Sequence, residues 1–452
     1  MSFLTTLLAG LLLTLSPRPD DTLAMITANG ELRVLTRPSL TTYYQGPTGA
    51  TGLEYDLVRG FADSLHVRLR IVTASSADAV LTALQRGDAH LAAAGIKATQ
   101  GNRKRARFAP TYQTVQEQLV YRRGSAPPRT LEAVAGKRFR VAAHTSHATT
   151  LLSLHNDHPQ LSWQEGTGIA TSELLNEVCQ HTLDYTIVDS HEMAVSQSFY
   201  PEVQVAFDVG EPRHLAWAFP LQTDTNLYLA ALRYLNRIRS NGRLEQLLER
   251  YYGHVEDFDY VGTRRFLSHV RQRLPQYLQY FQAAAEQHRL DWRLLAALGY
   301  QESHWNPKAV SPTGVRGIMM LTRDTADQVG IKNRLSARES IDGGARYFAT
   351  LKRRISDNVA EPDRTWFALA AYNVGLGHLE DARLLAKEAG VSSNRWLDVK
   401  KFLPLLSKSE WHEKTRHGYA RGTEPVNHVQ NIRRYYDLLV RENGRSQVLA
   451  AQ

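Results

Sequence analysis

The sequence predicts a multidomain protein in which an α/β domain is followed by an all-α domain. The chain has 452 residues, which is too long for one ordinary hydrophobic core and suggests two or three domains. From about residue 31 to residue 253, short apolar runs alternate with amphipathic segments, a pattern typical of βαβ units and parallel sheets. After about Gly262 only helical segments remain, so we place the domain boundary near the stretch GHVEDFDYVGT.

The composition limits the classes of function. Hydrophobic residues make up 43% and charged residues 22%, as in a globular protein. The net charge of +9 favours acidic partners such as nucleic acid, anionic lipid or a cell-wall glycan. The densest basic run, Arg103–Arg107, is short and typical of a solvated face, so nucleic acid is not expected. The single cysteine, Cys179, excludes an intrachain disulfide and a cysteine-rich metal site. The stretch HTSH, His144–His147, could suggest a metal, but no third ligand is evident and a surface loop is favoured. We expect no metal or cofactor.

The N-terminus contains an apolar run, FLTTLLAGLLLTLS. It is shorter than the roughly 20 residues of a membrane-spanning helix and resembles the apolar part of a secretory signal. No Lys or Arg precedes it, and no small-x-small cleavage site is evident. We expect residues 1–22 to be a signal peptide or a membrane anchor. A hydrophobic helix of the first domain is the alternative.

The first domain contains short apolar strands separated by amphipathic segments. The predicted strands are LRVLT, RLRIV, HLAAAG, RFRVAA and YTIVD. Four stretches, in the order GLEYDLVRGFADSL, LQRGDAHLAAAG, TQGNRKRARFAPTY and NGRLEQLLERYYG, resemble periplasmic solute-binding proteins of the amino-acid type. The resemblance implies that residues 23–258 form two α/β lobes that close on a ligand by a hinge.

The same resemblance suggests which residues hold the ligand. Arg103 is nearest to the family's carboxylate-binding arginine, and a guanidinium suits that role. Asp189, which ends YTIVD, falls where the family holds an ammonium group, and Tyr43 could wall the cleft. The implied ligand is an amino acid or a cell-wall peptide that adjusts the second domain. The alternatives are a surface charge at Arg103, a strand-end turn at Asp189 and a domain that serves only as a spacer.

The second domain, residues 264–452, reads as helices separated by Gly/Pro loops and is expected to be complete without the first. One helix ends in a glutamate on its apolar face. Asp291 is the predicted N-cap, with Leu290 and Leu295 forming a hydrophobic staple around it. Glu302 follows Leu298 by four residues and Leu295 by seven, so it shares their buried face. An apolar setting raises the pKa of a carboxyl, as a general acid working near neutral pH requires. Glu302 is therefore the candidate catalytic residue.

Further motifs surround this glutamate. The stretch SPTGVRGIMMLT contains Gly314 and Gly317, and glycine lets the backbone approach a ligand closely. The stretch AAYNVGLG ends a helix with Tyr372 and Asn373, an apolar ring and an amide that suit sugar binding. In order, Glu302-Ser303, GVRGIMM, AYNVG and RGTEPVNHV resemble the soluble lytic transglycosylase domain of the goose-type lysozyme superfamily.

The resemblance implies a lysozyme-like fold and a set of substrate-binding residues. These are Ser303, Ser311, Gly314, Gly317, Met319, Tyr372, Asn373, Glu424 and His428. Two positions depart from the family: Met320 stands where a glutamine is frequent, and His428 where a tyrosine is usual. Both bear on how the substrate N-acetyl group and the leaving oxygen are held. Glu424 could instead be a helix-start residue stabilised by the helix dipole.

The implied substrate is peptidoglycan, and the implied reaction needs one carboxyl. Glycosidases usually flank the bond with two carboxylates, but Glu339, Asp342, Glu361 and Asp363 all read as solvated. In the family, the C6 hydroxyl of N-acetylmuramic acid attacks its own C1, with the glutamate acting first as acid and then as base to give a 1,6-anhydro sugar. A hydrolytic muramidase and a non-catalytic glycan sensor are the alternatives. The resemblance places the protein in the periplasm, peripherally associated with the outer membrane.

Overall fold

The structure is a computed structural model that describes residues 21–450, except for residues 48, 223–224, 256–258 and 312–313. The predicted signal peptide or anchor, residues 1–22, lies outside the described residues apart from its last two. Among the helices of these described ranges, none is both long and apolar enough to cross a membrane.

The strands are β1 (Glu31–Thr36), β2 (Tyr44–Gly46), β3 (Gly49–Thr51), β4 (Arg68–Thr73), β5 (Leu91–Ala92), β6 (Arg107–Phe108), β7 (Gln113–Arg122), β8 (Arg140–Ala142), β9 (Gln164–Gly166), β10 (Tyr185–Asp189), β11 (Val203–Leu215) and β12 (Ala218–Phe219).

The helices are α1 (Thr22–Asn29), α2 (Leu53–Ser64), α3 (Ala77–Gln85), α4 (Gln100–Arg103), α5 (Ser146–His155), α6 (Thr171–Cys179), α7 (Ser190–Gln197), α8 (Thr225–Ser240), α9 (Arg243–Tyr252), α10 (Tyr260–Gln272), α11 (Leu274–His288), α12 (Trp292–Ser303), α13 (Arg323–Val329), α14 (Ala337–Arg354), α15 (Asp363–Val374), α16 (Leu376–Glu388), α17 (Trp396–Val399), α18 (Ser409–His412) and α19 (Thr423–Ala450). Short 3-10 helices occur at Leu131–Val134 and Leu403–Ser407.

The described residues of the chain divide into two compact units. The first contains the residues up to Tyr43, Glu54–Thr114 and Arg213–Asn241. The second contains Tyr44–Leu53, Val115–Pro212 and everything from Gly242 onward. One part of the α/β sequence therefore shares a unit with the helices from α9 onward, which the composition change near residue 262 does not reveal.

The first unit is built on a sheet in the order β4-β1-β5-β12-β6. Strand β1 pairs in parallel with β4 and β5, as the alternating pattern predicts. Strand β12 pairs antiparallel with β5 and β6, so the sheet is mixed and the prediction of parallel sheets holds only for part of it. Helix α3 covers this sheet, and Val80 and Leu84 from that helix pack against Leu35 of β1.

The α/β part of the second unit contains a sheet in the order β10-β7-β11 and a parallel pair, β8 and β9. Strands β10 and β7 run antiparallel. Neighbouring residues Leu119 and Val120 of β7 belong to different hydrophobic clusters because successive side chains point to opposite faces of a strand. Strands β7 and β11 were not predicted, since polar residues interrupt their apolar pattern.

The helical part of the second unit packs around α12. Helix α12 contacts α11 and α19, and α14 contacts α11 and α15. The core between them includes Phe281, Leu295, Leu298, Phe348 and Phe367. The predicted helical character of this domain is confirmed, and its first two helices, α10 and α11, meet at Arg273. Pro275 lies in the first turn of α11, where proline is tolerated.

Candidate active site

Helix α12 brings Glu302 to the edge of the helical core. The Asp291 side chain accepts a hydrogen bond of 2.8 Å from the Arg293 amide, which confirms the predicted N-cap. Leu295 and Leu298 are buried, as their spacing predicts. The helix ends one residue after Glu302, because His304 adopts a left-handed conformation with φ 52°. Trp305 follows with φ 56°, an uncommon conformation for a residue with a side chain.

Several contacts fix this strained turn. Trp305 is buried, and its indole Nε1 donates a hydrogen bond of 2.8 Å to the carbonyl oxygen of Ala296. The Ser303 hydroxyl donates to the carbonyl oxygen of Ile318 at 2.8 Å and accepts from the Asn306 amide at 3.1 Å. The glutamate is therefore flanked by residues whose positions are determined by the core.

The Glu302 carboxyl is mostly buried and sits beside a histidine. Its side chain is 15% exposed, and burial raises its pKa to about 8. His428 Nε2 lies 3.6 Å from Glu302 Oε1, and the histidine side chain is 4% exposed. Burial lowers the pKa of His428 to about 3. At neutral pH both side chains are therefore uncharged, which suits a group that must donate a proton.

Tyr372 approaches the same glutamate from α15. Its hydroxyl donates a hydrogen bond of 2.8 Å to the carbonyl oxygen of Met319. Burial raises the pKa of Tyr372 well above its usual range, and the nearby Glu302 adds to the effect. The Tyr372 ring lies 5.3 Å from that of Tyr347. Asn373, the next residue, is exposed near the end of α15.

The residues of the glycine-rich loop differ in their exposure to solvent. Gly314 is exposed, with φ 83° and open space around its α-carbon. Gly317 is buried with φ 84°, and a Cβ there would lie 1.8 Å from the carbonyl oxygen of Arg334. Position 317 therefore requires glycine because the backbone of Arg334 lies close to it, and not because of a ligand. The Met319 side chain is also buried, and it packs against Gly299 and Gly344.

The remaining predicted binding residues lie nearer the surface. The Ser311 hydroxyl accepts a hydrogen bond from the Val315 amide at 3.2 Å. Glu424 is exposed in the first turn of α19, 3.4 Å from Arg421. Glu302 thus lies 3.6 Å from His428 and near enough to Tyr372 to raise the pKa of its hydroxyl. Ser303 and Met319 are linked to this group through the backbone.

The four carboxylates predicted to be solvated, Glu339, Asp342, Glu361 and Asp363, all have partners within the protein. Asp363 is buried and accepts a hydrogen bond of 3.0 Å from the Trp396 amide, so the prediction that it is solvated is wrong. Asp342 contacts His288 at 3.0 Å, Glu361 contacts Lys352 at 2.8 Å, and Glu339 accepts hydrogen bonds from backbone amides. The Asp363 contact joins residues that are 33 positions apart, which no local sequence pattern indicates.

A second polar cluster lies in the α/β part of the second unit. Asp189, at the end of β10, is buried, and its Oδ1 lies 3.0 Å from His147 Nε2. Glu117 of β7 pairs in register with Asp189 and accepts a hydrogen bond of 2.6 Å from Thr150. Candidate ligand atoms of Glu117, His147 and Asp189 lie within 4.8 Å of one another, close enough to surround one cation. The prediction that His147 lies in a surface loop with no further ligands nearby is therefore wrong.

Arg103 and Tyr43 belong to the first unit. Arg103 is exposed at the end of α4, where its Nε donates a hydrogen bond of 3.1 Å to the carbonyl oxygen of Ala98. Its guanidinium carbon lies 5.7 Å from the centre of the Phe108 ring. The Tyr43 ring lies 5.8 Å from that of Tyr55. Both residues thus have local partners within their own unit.

Two family models match the chain. "Bacterial extracellular solute-binding proteins, family 3" matches residues 32–254, and "Transglycosylase SLT domain" matches residues 279–393. Both resemblances predicted from the sequence are thereby confirmed. The second match includes Glu302 and Tyr372 but ends before Glu424 and His428. Among solved structures, a mutant of ArgBP from T. maritima matches 51% of this chain and 99% of its own, with 19% identity and a TM-score of 0.47.

Relatives of known name match nearly the whole chain. Membrane-bound lytic murein transglycosylase F 1 of Alkalilimnicola ehrlichii is 49% identical over 439 residues, which cover 96% of this chain and 89% of the relative. Membrane-bound lytic murein transglycosylase F of Ectopseudomonas mendocina is 48% identical over 424 residues, covering 94% and 87%. Because nearly half of the residues are identical across almost the full length, this chain belongs to the family of membrane-bound lytic murein transglycosylase F.

Proposed function

We propose that this chain cleaves peptidoglycan as a lytic transglycosylase, at the β-1,4 bond between N-acetylmuramic acid and N-acetylglucosamine. The observation that carries the proposal is the buried carboxyl of Glu302, whose raised pKa of about 8 keeps it protonated at neutral pH. The names of the relatives support the reaction class and the substrate.

In the proposed reaction, Glu302 acts twice. Its proton passes to the glycosidic oxygen, which leaves as the 4-hydroxyl of N-acetylglucosamine when the bond from C1 breaks. The C6 hydroxyl of the same N-acetylmuramyl residue then bonds to C1, and its proton returns to the Glu302 carboxylate. The product is a 1,6-anhydro sugar, and no water is consumed. The attacking hydroxyl is tethered to its target, which provides a high effective concentration.

The surroundings of Glu302 favour this route over hydrolysis. Burial is the cause of its raised pKa, and among the described residues no neighbouring carboxylate contributes to it. The four sequence candidates for a second carboxylate have contacts of their own; they are Glu339, Asp342, Glu361 and Asp363. A hydrolysis with two carboxylates would therefore lack the second one, which activates the water.

The predicted binding residues divide by exposure. Gly314, Asn373 and Glu424 lie at exposed positions, and we assign them to contacts with the glycan. Ser303, Met319 and Tyr372 hold the backbone around the glutamate. Gly317 fits the loop against Arg334, and Ser311 closes the same loop. These residues act by shaping the site.

We also propose that the solute-binding part takes up an amino acid or a cell-wall peptide and adjusts cleavage. Asp189 and Glu117 are buried within the stretch that matches the solute-binding family, and carboxylates of this kind suit a ligand with a cationic group. Asp189 is the best supported of the candidate residues and would bind the ligand's cationic group. We propose Arg103 as the residue that binds the ligand's carboxylate and Tyr43 as part of the cleft wall. Calorimetric titration with amino acids and muropeptides, compared with Asp189→Asn, should show binding that the variant loses. Equal binding by the variant would remove Asp189 from the site.

The family name and the apolar N-terminal run support a periplasmic protein held at the membrane surface. We propose peripheral association with the outer membrane of a Gram-negative cell. Fractionation of cells that express the full chain should place it in the outer-membrane fraction, and release at high salt would indicate peripheral attachment. Recovery in the cytoplasm would contradict the proposal.

Mass spectrometry of digested murein tests the reaction. The wild-type protein should release fragments with 1,6-anhydro ends, and Glu302→Gln should release none while still binding murein, since the amide is nearly isosteric with the carboxyl. Glu388→Gln, which alters an exposed carboxyl on α16, is the matched control and should cleave normally. Reducing ends in place of anhydro ends would identify a muramidase. Full activity of Glu302→Gln would exclude the single-acid mechanism.

A further inference from the structure

His428 has a buried nitrogen that faces the proposed acid. Helix α19 packs against α12, and His428 Nε2 lies 3.6 Å from Glu302 Oε1. Within the described part of the chain, this nitrogen has no hydrogen-bond partner. An unsatisfied polar group in the interior is unfavourable and calls for an explanation. Its position makes the Glu302 carboxyl the nearby group with which it can pair.

We propose that His428 is a positioning residue that donates a hydrogen bond from Nε2–H to Glu302 when the acid becomes a carboxylate. This inference rests on the proposed role of Glu302. The separation of 3.6 Å is too long for a hydrogen bond, but a movement of about half an ångström closes it. A donor contact to a carboxylate is roughly twice as strong as one between neutral groups. The contact therefore forms as negative charge develops on Glu302.

The other hydrogen-bond donors beside Glu302 are already engaged. The Tyr372 hydroxyl donates to the Met319 carbonyl oxygen at 2.8 Å. The Ser303 hydroxyl donates to the Ile318 carbonyl oxygen at 2.8 Å. Neither hydrogen can turn to the carboxylate without breaking a buried backbone contact. Of the two described side chains that lie close to Glu302 from other helices, Tyr372 already donates its hydrogen, whereas His428 Nε2 is available as a donor.

A neutral imidazole suits this task. Burial holds the pKa of His428 at about 3, so the ring does not take the proton from Glu302 at neutral pH. His428 therefore does not compete with the substrate for the Glu302 proton. A tyrosine, the residue usual at this position in the family, could donate in the same way. Phenylalanine has a similar flat ring and cannot donate.

The test compares His428→Phe with His428→Tyr in the full chain. The titration of Glu302 is followed by infrared difference spectroscopy of its carboxyl band, assigned by its loss in Glu302→Gln. The wild-type midpoint is expected near pH 8. His428→Phe should raise the Glu302 midpoint by about one pH unit, because the Glu302 carboxylate loses its hydrogen-bond donor. His428→Tyr keeps a donor and should leave the Glu302 midpoint near the wild-type value. His288→Phe, which removes another largely buried histidine paired with Asp342, is the control and should not change it.

Murein cleavage provides the second readout. The turnover of His428→Phe should fall about tenfold or more, with its alkaline limb moved to higher pH, and His428→Tyr should restore both. An unchanged Glu302 midpoint in His428→Phe would overturn the proposal even if activity fell, since that fall would be structural. If His428→Phe does not fold, His428→Gln and His428→Met give the same comparison of donor and non-donor. If even the wild-type protein fails to cleave murein, the proposed function is wrong, while the titration still decides the role of His428.

Discussion

The Ser303 hydroxyl donates a hydrogen bond of 2.8 Å to the carbonyl oxygen of Ile318, a fully buried residue of the glycine-rich loop. This contact connects the last turn of the glutamate helix with the loop that follows it in sequence. The residue adjacent to the proposed acid is thereby held from outside its own helix. Its contribution can be measured by removing one oxygen atom.

Ser303→Ala should destabilise the protein by about 1–3 kcal/mol, because the Ile318 carbonyl oxygen is left buried without this donor. Urea denaturation measures the change, and murein cleavage should fall as the end of α12 loosens. Ser407→Ala is the matched control, since the Ser407 hydroxyl donates to the Pro404 carbonyl oxygen at an exposed site. Equal stability of the two variants would show that the Ser303 contact does not contribute to the free energy of unfolding.

Stability should depend on the protonation of Glu302. Its pKa is raised from 4.5 to about 8 in the folded chain, so the folded state binds the proton more tightly than the unfolded state. The associated stability is complete below pH 4.5 and is lost as pH rises through about 8. Glu302→Gln should therefore gain stability relative to the wild type as pH rises across this range, by up to about 4 kcal/mol.

Urea midpoints at pH 5 and pH 8.5 for the wild type and Glu302→Gln measure this difference. The exposed Glu388→Gln should follow the wild type at both values. If the urea midpoints of Glu302→Gln and the wild type changed equally between the two pH values, the carboxyl would be less desolvated than its 15% exposure indicates.

The burial of Glu302 could be predicted because it depends on local spacing. Leu295, Leu298 and Glu302 lie on one face of a single helix, and helical periodicity gives that face directly. The cluster of His147 with Glu117 and Asp189 could not be predicted in this way. It depends on antiparallel pairing of β7 with β10, about 70 residues apart, and the polar residues of β7 conceal the strand.

The two glycines of the loop provide a matched pair. Both have φ near 84°, but a Cβ has open space at Gly314 and would clash with the Arg334 carbonyl oxygen at Gly317. Gly314→Ala should cost about 1–2 kcal/mol for the left-handed conformation alone. Gly317→Ala should cost more, because the backbone of Arg334 must also move. Urea denaturation of both variants measures the difference, and equal losses would show that the loop relaxes around the added methyl group.

Buried contacts also join α9 to the helices that follow. Arg433 Nη1 donates to Glu249 Oε1 at 3.1 Å, and Lys400 Nζ contacts Glu249 Oε2 at 2.8 Å. Glu249 and Arg433 are each 6% exposed at their side chains. Residue 249 lies within the stretch that matches the solute-binding family, yet its partners lie in the helical domain. A helical domain that starts at residue 264, as predicted, would therefore lack Glu249, which contacts two of its residues.

A fragment of residues 242–452 should consequently be more stable than a fragment of residues 264–452. The shorter fragment leaves Arg433 without Glu249 and Asp363 without its partner Gln246. Loss of a buried partner costs about 3–5 kcal/mol, so we expect a lower urea midpoint and weaker murein cleavage for the shorter fragment. The longer fragment with Glu249→Gln should lie between the two, because it keeps α9 but loses the charge that Arg433 and Lys400 share. Equal midpoints for the two fragments would show that the helical domain is independent of α9 and would support a boundary at residue 264.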